Sequence, residues 1–404
     1  MNKQILRLAI PNIISNLTVP LLSSVDTALM GHMENVHYLG AIAVGGIIFN
    51  FIYWGFGFLR MGTTGLTAQA CGRQDDRESI SVLSRALLTA LFFSLLLILF
   101  RNFIVDLSFD LIEASEEVEH YGRLYFSIRI LAAPATLGLY ALTGWFLGMQ
   151  NARYPLYLAL VTNALNIIFD LVFIKVFDMN VDGVALGTVC ANFLGILTAF
   201  WLFYRSYGSL RIHIKAAHIL DWGRFREFFR VGRDIFIRTL ILIFAFSFFT
   251  AKSAESGDLL LAVNTILINL WTIMAYGIDG FAFAAESVVG RYIGARQPQN
   301  LKKAIWYSFA AGMASAFDER SFKAKPIWTD TRIGAKTNRR SGAGRADQIN
   351  SIRDAGIVPN SGSAVNLSDP GAMIATHDPS AKGSSLAFEI RILLQFISRI
   401  FILH

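Results

Sequence analysis

LAIPNIISNLTVPLLSSVDTALM, residues 8–30, is the stretch whose reading decides the fold. One acid, Asp26, and no base sit in a run of about 20 apolar or small residues, the length a helix needs to cross a bilayer. A charge that deep costs free energy and marks function by default. Pro11 and Pro20 fall in the same run. Each leaves an upstream carbonyl without its intrahelical donor, so a kink or hinge is expected there. MNKQILRLAIPN runs into this span without a small-residue cleavage site, so the amino terminus is expected to stay with the protein.

Composition extends that reading to the rest of the chain. It is 54% AVILMFWYC and 16% charged, with mean hydropathy +0.48, where soluble domains carry roughly 25% charged residues. Spans are expected near 8–31, 40–70, 82–105, 123–148, 154–177, 183–204, 231–251 and 259–290. The net charge of +7 falls mostly between them and reports topology; a nucleic-acid partner is not expected. Lys3 and Arg7 precede the first span, Arg73, Arg77 and Arg85 follow the second, and 205–230 is the most basic loop. The positive-inside rule then places the amino terminus in the cytoplasm and the spans in strict alternation. Cys71 and Cys190 make no disulfide framework. No GxxxxGK[ST], HExxH, paired CxxC or GxSxG occurs, so neither an enzyme, nor a metal centre, nor a resident cofactor is expected.

The basic loop is also a boundary. Six spans precede it, and GLTAQACGRQDDRE, which closes span 2, resembles SVVGRYIGARQPQN, which closes span 8. Gln69 and Gly72 stand opposite Arg291 and Gly294, which suggests an internal repeat. In that register Phe248 stands opposite Asp26. The expected organisation is an intact six-helix lobe over 1–204, a basic inter-lobe loop over 205–230 and a partial second lobe over 231–317. A polar disordered tail over 318–384 and an amphipathic segment over 385–404 complete the chain.

Polar residues inside the spans are the candidate site. In TNALNIIFDLVFI, Asn163, Asn166 and Asp170 lie at i, i+3 and i+7, on one helix face. That face either looks into a wet cavity or forms an interhelical hydrogen-bond seam; an aspartate is a costly choice for a seam. Thr188 could extend the patch or simply bond its own backbone. Arg60 and Arg129 are cationic partners for these acids, or else snorkel to the interface. Asp279 and Glu286, seven apart on one face of span 8 near Asn264 and Asn269, are second-rank candidates.

LRLAIPNIISNLTVPLLSSVDTALMGH, YLGAIAVG, LRMGTTGLTAQACG, NALNIIFDLVFI, GRDIFIRTL and YGIDGFAFAAESVVGRYIGA, in that order over roughly residues 5–310, resemble the multidrug and toxin extrusion (MATE) family, and more closely its DinF-like branch. The resemblance implies an all-α polytopic bundle of two six-helix lobes. Its function would be secondary antiport, exporting small cationic or amphipathic organic compounds against protons or sodium ions. It assigns Asp26 as the helix 1 acid, Pro11 as the proline whose kink accompanies its protonation, and Asn166, Asp170 and Thr188 as the polar cluster of the amino-terminal lobe. Thr143, in ALTGWFLG, stands where many relatives carry asparagine, which weakens the case for ion binding in the family's usual way.

If Asp26 and Asp170 face one cavity, a proton shared between them relieves their repulsion, and a cationic solute competes for the same charge. Two lobes rocking about such a site give alternating access. The apolar run of span 9 stops near Phe317, and a disrupted reading frame near residue 315 would account for the polar tail after it. The alternatives to an exporter are therefore a truncated, non-transporting membrane remnant and, more remotely, a flippase for lipid-linked precursors. The expected setting is the bacterial inner membrane, with the lipid bilayer as partner and a monomer as the assembly.

Overall fold

The computed structural model describes residues 2–30, 36–112, 114–213, 221–255 and 258–317; over 19–30 it is the course of the helix that is described. The tail read from sequence as 318–384 and 385–404 lies outside the described residues. Among those residues every regular element is helical: α1 Asn2–Met30, α2 Val36–Gly55, α3 Gly57–Gly72, α4 Asp76–Leu99, α5 Arg101–Leu111 and α6 Glu116–Arg129 come first. They are followed by α7 Ala133–Gly148, α8 Arg153–Lys175, α9 Val181–Tyr207, α10 Trp222–Glu255, α11 Asp258–Gly294 and α12 Pro298–Phe317. Five helical segments, from His37–Gly72 to Val181–His213, are long and apolar enough to cross a membrane. Large apolar side chains such as Phe92, Leu95, Leu197, Trp201 and Phe244 face outward, as lipid-facing surface does. The chain is a multi-pass membrane protein.

Three of the expected spans are broken. The stretch read as 40–70 divides at Phe56, between Gly55 and Gly57. The stretch read as 82–105 divides at Phe100, between α4 and α5. In the third, a 3-10 turn at Ile130–Ala132 precedes Pro134, whose missing N–H cannot continue the ladder from α6. α1, by contrast, is helical through both Pro11 and Pro20. The basic segment 205–230 is shorter as a connection than its composition suggests: α9 with its 3-10 extension runs to His213, and α10 starts at Trp222.

Helix ends follow local chemistry. Asp75 caps α4 by accepting from the Glu78 amide at 3.0 Å, with Asp76 and Glu78 in the first turn to meet the helix dipole. α12 starts on Pro298, whose lack of an N–H costs nothing in a first turn.

The two helix ends matched in the sequence close with the same backbone turn, a turn that Gln150 also makes. Gln74 and Arg296, equivalent in the repeat, both take left-handed conformations, with φ 58 and 54. Gln74 N bonds Cys71 O and Asp75 N bonds Ala70 O; Arg296 N bonds Ile293 O and Gln297 N bonds Tyr292 O, all at 3.0–3.1 Å. The two equivalent helix ends also touch each other. A Cβ on Gly72 would overlap Arg291 O, and one on Gly294 would overlap Gln69 O, so α3 and α11 meet backbone to backbone. The residues matched in the sequence, Gln69 with Arg291 and Gly72 with Gly294, thus meet crosswise, Gly72 against Arg291 and Gly294 against Gln69.

That seam holds α11 against the amino-terminal helices. α11 packs on α1 and α3, and α1 packs in turn on α8, which pairs with α9. Ile5, Leu8 and Ala9 of α1 share one buried cluster with Leu147, Phe283, Ala284 and Val288.

Candidate functional site

The α8 face predicted from spacing is polar and buried. Asn166 and Asp170 are 6% and 1% exposed. Asn166 Nδ2 donates to Asp170 Oδ2 at 3.0 Å, one turn on, and lies 3.5 Å from Thr188 Oγ1 of α9. Thr188 meets both readings offered for it, since its hydroxyl also donates to Val184 O at 3.1 Å. Gly187 makes the space: a Cβ there would overlap Asp170 Oδ1. Neither it nor Thr18 carries a charge or motif that would single it out in sequence.

Asn163 extends the face to α1, donating from Nδ2 to Thr18 Oγ1 at 2.9 Å. Nearer the start of both helices, Gln4 donates to Gln150, the residue three before α8 begins, at 3.3 Å. The two bonds join residues 146 and 145 apart in sequence, so α1 and α8 run parallel in a fixed register. Carried further along the same helices, an offset of 145 brings position 26 of α1 level with residue 171, beside Asp170. The side chain of Asp26 itself lies outside the described residues. Pro11 sits in the α1 turn that packs against α11: a Cβ on Gly280 would overlap Ile13 and approach Ala9 O at 3.1 Å.

Asn163 also lines a cavity of about 210 Å³, together with Asn12 of α1, Arg60 of α3, Tyr140 and Thr143 of α7, and Phe283 of α11. Thr143 spends its hydroxyl on its own helix, donating to Leu139 O at 2.7 Å. Arg60 lies with its guanidinium 3.9 Å above the Phe283 ring. Sequence reasoning offered Asp26 and Asp170 as its partners, or snorkelling. Among the described residues, Asp279 and Glu286, on one face of α11, act electrostatically on both Arg60 and Arg238, and the pairing with Asp26 lies outside the described residues. Arg60 forms no ion pair within 4.0 Å among the described residues.

Arg129 departs from its expected partners as well. It donates to the Tyr125 hydroxyl and stacks 4.8 Å from the Phe49 ring centre, so π faces and a phenol receive its charge. Asn264 lies fifteen residues before Asp279, about 22 Å along an α-helix, and bonds Ser253 at 2.8 Å instead of joining that acid. The side chain of Asn269 lies outside the described residues. Among the described residues no group of three or more His, Cys, Asp and Glu side chains is arranged to hold a metal ion.

Comparison with known proteins places this geometry. Residues 11–172 match the MatE family model. The chain is similar to the DNA damage-inducible protein F of Escherichia coli, with 41% identity over 301 residues, covering 74% of this chain and 65% of that protein. It is similar at 26% identity to the probable multidrug resistance protein NorM of Thermotoga maritima, over 72% of this chain and 63% of that protein. The chain therefore spans a little under two thirds of the length of these relatives. Its fold superposes with TM-score 0.69 and 21% identity on an outward-facing multidrug resistance MATE family transporter of the MOP superfamily, over 77% of this chain and 69% of that one. A buried Asn–Asp face on α8 met by Thr188 of α9, an α1 running alongside it and an α3–α11 contact thus stand within a chain that matches the MatE family model over residues 11–172 and is similar to the DNA damage-inducible protein F of Escherichia coli.

Proposed function

We propose that this chain exports small cationic or amphipathic organic compounds by ion-coupled antiport, with Asp26 and Asp170 as one coupling site. The α1–α8 register supports the proposal, because the same offset carried along both helices brings position 26 to the level of Asp170. Two carboxylates facing one cavity in a low-dielectric interior would not both hold full charge without a counter-ion, so a proton or a sodium ion would be taken up between them. Asn166 keeps the Asp170 carboxylate oriented, Thr188 closes the patch, and Asn163 ties it to α1 through Thr18.

Transport then needs the charge at this site to move helices. In α1 the carbonyls of Arg7 and Asn16, four residues before each proline, lack an intrahelical N–H donor, so α1 is the helix most ready to bend. A bend at Pro11 alters the α1 surface that Gly280 of α11 contacts, and so couples ion occupancy to the packing of the two lobes. The relatives' names, a multidrug resistance protein among them, support a multidrug cargo. The proposed setting is the bacterial inner membrane, with a cytoplasmic amino terminus and a monomeric carrier.

Dye efflux from cells producing the chain tests this reading. The expected result is efflux above background with the wild-type chain and background efflux with Asp26→Asn. Background efflux from a wild-type chain shown to be inserted would favour the non-transporting reading. Efflux unchanged by Asp26→Asn would remove that residue from the mechanism.

A further inference from the structure

We propose that the cavity at Arg60 seats a carboxylate, so that amphipathic organic acids, and not only cations, are ligands of this protein. The inference deepens the exporter reading for its cargo, although binding at the cavity does not depend on transport.

Three observations converge on an acceptor-bearing ligand. Among the described residues the only charged side chain lining the cavity is Arg60, and the polar side chains beside it there are neutral asparagine, serine, threonine and tyrosine. Asp279 and Glu286 act on Arg60 from outside that lining and form no ion pair with it within 4.0 Å. The Arg60 fork therefore reaches the cavity wall with N–H donors to spare, the geometry that takes a carboxylate through two parallel bonds.

Asn12 is the second observation. It is 3% exposed, it lines the same cavity, and its Nδ2 has no hydrogen-bond partner among the described residues. Thr162 Oγ1, also on the lining, is likewise buried without a partner. A buried amide donor left unpaired is costly, and a ligand oxygen relieves that cost.

The third observation decides the sign of the ligand. An organic cation would look for an aromatic face, and Phe283 would supply it, but that ring is already covered by the Arg60 guanidinium at 3.9 Å. A cation entering the cavity meets the Arg60 guanidinium at the lining itself, with Asp279 and Glu286 outside it, and a ring already covered. A carboxylate meets a guanidinium stacked on that ring, with the unpaired Asn12 amide on the same cavity lining. The volume of about 210 Å³ accommodates a small aromatic acid or the acidic end of a larger amphipathic one.

Two xanthene dyes of similar shape and opposite charge, fluorescein and rhodamine 6G, separate the alternatives by fluorescence anisotropy with the purified full-length chain in detergent. The expected result is fluorescein binding that excess benzoate displaces. Arg60→Gln is expected to weaken it by about tenfold or more and Asn12→Ala by severalfold, as losses of a charge-assisted and a neutral hydrogen bond. Arg60→Lys, which keeps the charge without the fork, is expected to fall between wild type and Arg60→Gln. Rhodamine 6G binding should be unchanged or strengthened by Arg60→Gln. The wild-type comparison stands even if Arg60→Gln fails to fold: rhodamine 6G binding with no benzoate-sensitive fluorescein binding overturns the proposal. Fluorescein affinity indifferent to both Arg60→Lys and Asn12→Ala overturns it too. Carboxylate binding in a chain that shows no efflux would leave this inference standing and remove the exporter reading alone.

Discussion

At the scale of the residue, the site depends as much on what is missing from a side chain as on what is present. Asp170 can occupy its position because residue 187 has no Cβ, and Asn166 holds one of its carboxylate oxygens at 3.0 Å. Gly187→Ala is therefore expected to push the carboxylate off Asn166 and to abolish efflux, at a stability cost of about 1–3 kcal/mol from overpacking. Thermal stability in detergent and dye efflux, measured on one preparation, check both effects. Full efflux with Gly187→Ala would show that the Asp170 position does not matter. Asn166→Leu should cost a similar amount, about 1–3 kcal/mol, by removing the amide bond that Asn166 makes to a buried carboxylate. The i, i+3, i+7 pattern made Asn163, Asn166 and Asp170 readable from sequence as one face. Gly187 and Asn12 were not readable, because their importance comes from atoms on other helices.

At the scale of the element, the helix pairings rest on small residues and short polar bonds. Gly72 and Gly294 bring α3 and α11 into backbone contact, and a side chain at either position has nowhere to go. Gly294→Val is expected to destabilise the protein by about 1–3 kcal/mol or more, since backbone cannot yield as a flexible side chain does. Gly46→Ala, where nothing lies within 4 Å, is the matched control and should be close to neutral. A thermal-shift comparison of the two variants checks this, and equal stabilities would contradict the seam. The repeat was legible because its turn chemistry recurs at matching places in the chain. The breaks at Phe56 and Phe100 were passed over, because long apolar runs lie on both sides of the Gly55 and Gly57 that flank the first and of the Arg101 and Asn102 that follow the second. Arg60 and Arg129 also misled at this scale. Phe283 is more than two hundred residues from Arg60 in sequence, and no periodicity within α3 points to it.

At the scale of the whole molecule, the described helices set the Asn166–Asp170 face and the Arg60 cavity on one stretch of α8, with Asn163 on the face and on the cavity lining. The membrane class and the order of the helices were readable from hydropathy and motifs. The register that brings α1 and α8 to one level was not, because it depends on two hydrogen bonds between residues about 145 apart. That register carries the central claim, that Asp26 and Asp170 act as one unit. Groups that act as a unit lose function together, so removing the second adds little once the first is gone. The direct measurement is the rate of dye efflux for Asp26→Asn, Asp170→Asn and the double variant beside wild type, at matched levels of inserted protein. The account predicts that each single variant falls as far as the double; single losses that multiply to give the double would contradict it.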